Sequence, residues 1–297
     1  MANLVRTGLL MALLTALFMA VGYGVGGGTG ASIAFAIAAA GNLVTYWVAD
    51  RAVLAAYGAR PADPAAFPRL VALVELLARK AGLPVPRVFV IEADQPNAFA
   101  TGRDPAHAAV AVTTGLLGAL DEAELAGVLA HELSHIRHRD TLTMTVTATL
   151  AGAIGMMSNL ALIFGGGDER RASPFAGIGG ALLLILAPLS ATLVQLAISR
   201  AREYAADAGA AALTGQPLAL ARALARIGEA ARWVGNDDAE RNPATASLFI
   251  VNPLAGTTFD ALFATHPPLR ERIARLRRMA QFDARAHFDP AGSDVML

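Results

Sequence analysis

The chain has 297 residues, 55% of them hydrophobic and only 16% charged, with zero net charge and a mean hydropathy of +0.48. Soluble domains carry about 25% charged residues, so part of this chain is expected to lie in lipid, and no excess of positive charge points to nucleic acid. There is no cysteine, which excludes disulfides, thiol catalysis and Cys-based metal sites and leaves His, Asp and Glu as metal ligands.

From Thr7 to Ala49 there is no Asp, Glu, Lys or Arg. A bilayer core takes about 20 residues per helix, so the run reads as two spans, Leu9–Val25 and Ala31–Val48. They are separated by the turn-forming Gly26-Gly27-Gly28-Thr29-Gly30. A cleaved signal peptide is the competing reading, because Arg6 precedes an apolar stretch. No small-x-small cleavage pattern follows it, however.

Residues 51–140 then form a first polar segment. Phe67–Gly82 has helical spacing and ends on a glycine. Pro84–Glu92 and Ala108–Thr113 are β-rich, and Asn97-Ala98-Phe99-Ala100 offers a third strand to a small sheet with an exposed edge. The segment ends in Ala119–Asp140. There Asp121 and Glu124 have the spacing of a capping box, opening a helix that carries His131-Glu132-Leu133-Ser134-His135. Residues four apart share one helix face, so both imidazoles can reach one ion, and Glu132 stands beside them as a base for the attacking water.

Two further charge-free runs, Thr141–Gly167 and Ala172–Ser199, give a second membrane hairpin over 141–199 and bring the expected spans to four. Asp168–Arg171 is its solvated turn. Arg6, Arg51, Arg60, Arg137, Arg139, Arg200 and Arg202 all fall on the side of the polar segments. By the positive-inside rule this makes those segments and both termini cytoplasmic, against the dissent of Arg170 and Arg171.

The second polar segment, 200–280, opens with Arg202-Glu203-Tyr204-Ala205-Ala206-Asp207. Glu203 is read as the third metal ligand, with Asp207 one turn on orienting an imidazole. An antiparallel hairpin returns its two ends to one place, so His135 and Glu203 should meet at the membrane surface. Leu218–Trp233 and Pro268–Ala280 are amphipathic helices, Pro243–Thr258 is a loop, and 281–297 is a poorly ordered tail. His266, followed by two prolines and Arg270, either begins a helix or donates to the tetrahedral oxyanion; Tyr204 is a second oxyanion candidate.

The expected fold is mainly α with a small β-sheet, a metallopeptidase domain split by the second hairpin and joined to four transmembrane helices. Its expected cofactor is one Zn2+ per subunit, its partners polypeptides and the lipid bilayer. A non-catalytic membrane scaffold holding a structural zinc, and a prenyl-peptide processing protease, are the alternatives.

Taken together, His131–His135 entering a hydrophobic segment, Asn97–Gly102 upstream, Ser199–Asp207 downstream and Thr265-His266-Pro267-Pro268 near the end resemble the HtpX family of prokaryotic membrane proteases. These are more distantly similar to the CAAX prenyl endopeptidases. The resemblance implies a gluzincin-type zinc endopeptidase domain on the cytoplasmic face of the plasma membrane, acting in quality control of misfolded membrane proteins. It also implies ligand roles for His131, His135 and Glu203, a catalytic role for Glu132, and a substrate cleft along Asn97, Ala98, Phe99 and Ala100.

Overall fold

The structure, a computed structural model, describes residues 2–151, 200–254 and 267–286. Helix α1 (Ala2–Ala56) breaks at Gly26 and Gly27. Gly27 has φ +59°, a conformation that β-carbon-bearing residues resist. The two limbs fold back on each other: the Asn42 amide donates to the Thr15 hydroxyl at 2.9 Å. Near the turn they touch backbone to backbone, where a β-carbon on Gly22 would collide with the Gly30 carbonyl.

The stretches Thr7–Gly24 and Gly26–Ala56 are each long and apolar enough to cross a membrane. Leu9, Leu13, Ile33, Ile37 and Leu43 are all more than half exposed along them, an arrangement suited to lipid rather than water. Of the expected second hairpin, residues 152–199 lie outside the described residues. Its beginning, 140–151, is helical and packs on the first limb. Thr7 and Thr143 share a hydroxyl–hydroxyl bond of 2.8 Å, and Leu14 clusters with Leu150.

After β1 (Arg60–Pro61), helix α2 (Pro68–Ala81) begins on proline and ends on Gly82 in the left-handed conformation. Its inward stripe is Leu70, Val74, Leu77 and Ala78, the helical spacing visible in the sequence. Then come β2 (Arg87–Ile91), β3 (Ala98–Thr101) and β4 (Ala109–Thr113). The sheet order is β1-β2-β4-β3, with β2 and β4 parallel and both outer pairings antiparallel.

All five residues of β4 are buried because both faces of the sheet are covered. Val110 and Val112 face a core built with α2 and the helices α4 (Glu122–His138), α5 (Arg200–Thr214), α6 (Pro217–Ala230) and α8 (Leu269–Ala286). Ala109 and Ala111 face a second core formed by Val53, Leu54 and Tyr57 at the end of α1, Met144 and Ala148, and residues 244–254. One small sheet therefore couples the N-terminal hairpin to the helix that carries the His-Glu-x-x-His motif.

Two short helices complete the described chain, α3 (Thr114–Ala119) and α7 (Asp237–Arg241). A 3-10 turn over Pro243–Leu248 stands at the start of the segment expected to be loop. The expected tail at 281–297 needs correcting at its start: α8 continues to Ala286.

Candidate metal centre

Helix α4 is set at its N-terminus by the expected capping box. Asp121 accepts from the Glu124 N–H at 2.8 Å, and Glu124 reaches back to the Asp121 N–H at 3.2 Å. From there the helix runs through the core, so His131, Glu132 and His135 are 0%, 1% and 4% exposed. Helix α5 packs across it with Glu203 and Asp207 buried on the facing side. Atoms of His131, His135 and Glu203 all lie within 4.8 Å of one another.

The hydrogen bonding fixes which nitrogen each imidazole presents. His131 Nδ1 lies 3.0 Å from Asp207 Oδ1, and His135 Nδ1 lies 3.2 Å from Asp140 Oδ2. Each Nδ1 therefore donates its proton to a carboxylate, leaving both Nε2 atoms with lone pairs. These two nitrogens face each other at 3.1 Å, and the Glu203 oxygens stand 3.8 and 3.4 Å from them.

Two lone pairs at that distance repel unless a cation or a shared proton lies between them. Nitrogens each about 2.0–2.1 Å from a tetrahedral ion stand roughly 3.3 Å apart. The charge balance agrees. Four carboxylates, Glu132, Glu203, Asp207 and Asp140, are buried around the group, with Arg272 and Arg202 among their described partners, an acidic setting that suits a divalent cation. His, His and Glu form a hard-to-borderline donor set suited to zinc, so the residues fit the ion the motif implies. Among the described residues three side chains converge, a number that leaves one coordination position open.

Burial lowers the His131 pKa to about 4, so its imidazole is neutral, as a ligand must be. At His135 burial opposes protonation, but the bonds to Asp140 and Glu203 outweigh it and raise the pKa to about 10. Without a metal, a proton there takes the cation's place. Burial also raises Glu132 to about 8, and a divalent cation beside it would draw that value back down, leaving an ionised base. The Ala100 backbone, on β3, lies close enough to the Glu132 carboxylate to favour its ionised form.

Arg272 is a central residue that sequence reasoning missed. It is wholly buried. Nε and Nη2 clamp Asp207 at 2.9 and 2.7 Å, Nη1 donates to the Ile250 carbonyl at 2.8 Å, and Glu203 lies 3.5 Å away. Burial alone would raise the Asp207 pKa; the Arg272 charge and bonds override this and hold it at about 2. The signal was there to be read, since Arg272 falls on the apolar stripe of α8 between Leu269 and Leu276.

The arginine singled out from the sequence, Arg270, is exposed two positions away. It points off that stripe, which corrects its assignment to the site. Tyr204 is likewise directed elsewhere: its hydroxyl donates to Glu271 at 2.8 Å, and Arg275 lies 3.8 Å over its ring. His266 lies outside the described residues.

The expected exposed strand edge is also corrected. Asn97, Ala98, Phe99 and Ala100 are all buried because the chain itself covers them. The Ile250 N–H donates to the Ala98 carbonyl, and the Asn97 amide donates to the Val251 carbonyl. Gln95 holds Pro253 in the same way, while Phe249 packs edge-on against Phe99 and Tyr57. Polar side chains on the β2–β3 connection thus recruit a distant segment whose role had no local signature.

A buried motif helix completed by a carboxylate from a second helix defines a metallopeptidase. Residues 64–280 match the model of Peptidase family M48, and the chain belongs to that family. More narrowly, the chain is 82% identical over 283 residues to the Protease HtpX homolog of Acidiphilium cryptum (strain JF-5), covering 95% of this chain and 99% of that one. This bears out the resemblance read from the motifs: the chain is a membrane metalloprotease of the HtpX kind. The crystal structure of S. mikatae Ste24p is also similar, at 23% identity and a TM-score of 0.43. That match covers 79% of this chain and 57% of the other.

Proposed function

We propose that the chain is a zinc endopeptidase that cleaves misfolded or damaged membrane proteins at the cytoplasmic face of the plasma membrane. His131, His135 and Glu203 hold one zinc ion, four spans anchor the domain, and both termini are cytoplasmic. The observation that carries this reading is the pair of Nε2 lone pairs 3.1 Å apart, with each Nδ1 committed to its own carboxylate. Support for the membrane site comes from the apolar N-terminal hairpin, whose end shares a core with the sheet above the motif helix.

When bound, zinc supplies the Lewis acidity that makes water nucleophilic near neutral pH and polarises the peptide carbonyl. Glu132 accepts the proton of the attacking water and delivers it to the leaving amine, a role worth about 10²- to 10⁴-fold. Asp207 and Asp140 hold the two imidazoles as neutral tautomers, and Arg272 keeps Asp207 ionised. Removal of bulk water by burial strengthens each of these interactions.

Glu132→Gln tests the reading. The variant should keep its zinc and lose casein cleavage, whereas the wild type should lose cleavage to a chelator and regain it with added zinc. Undiminished turnover by Glu132→Gln would remove the base. A wild type that holds zinc but never cleaves would favour the scaffold reading.

A further inference from the structure

Among the described residues, one buried carboxylate links the metal site to both flanks of the 141–199 segment. Helix α4 ends at Arg139, the only non-glycine with positive φ among the described residues, at 58°. The left-handed turn closes α4 through bonds from the Arg139 N–H to the His135 and Ile136 carbonyls. It also swings the next residue back, so that Asp140 Oδ2 meets His135 Nδ1 at 3.2 Å.

The other oxygen, Oδ1, accepts from Arg202 Nη1 at 3.2 Å. Asp140 is 1% exposed, and these partners, His135 and Arg202, come from different helices. One oxygen therefore serves the imidazole and the other serves α5, which begins directly after the segment.

We propose that Asp140 and Arg202 form a clasp that fixes the tautomer and orientation of His135, making both of them positioning residues for the metal site. The inference rests on His135 being a metal ligand. A carboxylate that accepts Nδ1–H makes Nε2 a better donor and stops the ring from rotating. Arg202 acts through Asp140: its bond to Oδ1 holds the carboxylate in place beside the imidazole. Because one partner precedes the 141–199 segment and the other follows it, a displacement of either end is passed to His135.

A plainer role for Asp140 is as the acidic first residue of the 140–151 helix, where a carboxylate or an amide serves almost equally well. Zinc affinity separates the two roles. The full-length protein in detergent is titrated with zinc against a chromophoric chelator, alongside Asp140→Asn, Asp140→Ala, Arg202→Gln and the Asp140→Ala/Arg202→Gln double variant.

Positioning predicts a zinc Kd raised about 10- to 100-fold in Asp140→Asn and at least as far in Asp140→Ala. Arg202→Gln should give a smaller rise that vanishes in the Asp140→Ala background. Glu124→Gln, which removes a fully buried carboxylate at the far end of the same helix, should leave zinc affinity unchanged. If Asp140→Ala fails to fold, Asp140→Asn still decides the matter.

A Kd for Asp140→Asn within twofold of wild type overturns the clasp and leaves the metal site standing. So does an Arg202→Gln effect that persists undiminished without Asp140. A wild type that binds no zinc overturns the site and the clasp together.

Discussion

Replacing Arg272 with methionine keeps most of the side-chain volume and removes the charge. Asp207 and Glu203 then lose the buried guanidinium that stands beside both. The pKa of Asp207 is held at about 2 against an ordinary 3.8, which corresponds to roughly 2 kcal/mol of stabilisation at neutral pH. Asp207 is 1% exposed, so solvent screening takes little from that figure. The Ile250 carbonyl also loses its donor, and an unsatisfied buried acceptor costs about 1–3 kcal/mol.

The sum, about 3–5 kcal/mol, is the range seen when one partner of a buried ion pair is removed. For a chain of this size it lowers Tm by roughly 6–20 °C. Circular dichroism melts of the metal-free protein in detergent would measure it. Asp207→Asn in the same background should recover part of the loss, since the stranded charge goes with it. A Tm for Arg272→Met within 2 °C of wild type would show that the guanidinium does not stabilise the site.

The pH dependence of those melts has a definite sign. In the wild type the depressed pKa of Asp207 contributes stability above pH 4, and that contribution disappears as pH falls from about 4 to about 2. In Arg272→Met the buried carboxyl keeps its bond to His131 but loses its cationic partner and its pKa rises, so the gap between the two proteins should be widest near pH 7 and narrow below pH 4. A gap independent of pH would mean that Asp207 is not the group involved. For the N-terminal hairpin, the absence of native cysteine allows a clean cross-link. Thr15→Cys/Asn42→Cys should oxidise readily, because these side chains are in hydrogen-bond contact. Adding Gly22→Leu should slow the reaction by forcing the limbs apart at Gly30; an unchanged rate would argue against the close backbone approach.

What the sequence made legible was whatever has a local cause. The capping box, the i,i+4 histidines, the Gly82 stop of α2 and the glycine turn of α1 each depend on residues within one or two turns. The pairing of Glu203 with His135 was reachable because a hairpin must bring its ends together.

Arg272 was hidden because an arginine on an amphipathic, arginine-rich helix ordinarily faces water. Only its register on the apolar stripe separated it from Arg270. Nor was the covering of β3 legible, since Ile250 reaches Ala98 through anchors at Gln95, Asn97 and Asn236. Polar residues in a connection look like solvated loop until the segment they hold is known. Asp140 had no readable role because nothing in the sequence announces a left-handed arginine before it.

The central claim is that a carboxylate from α5 completes a metal site begun by two imidazoles on α4. Metal analysis of purified wild type beside Glu203→Ala tests it most directly. Close to one zinc per chain is expected in the wild type and a large loss in the variant, at equal folding by circular dichroism. Full zinc occupancy in Glu203→Ala would contradict it.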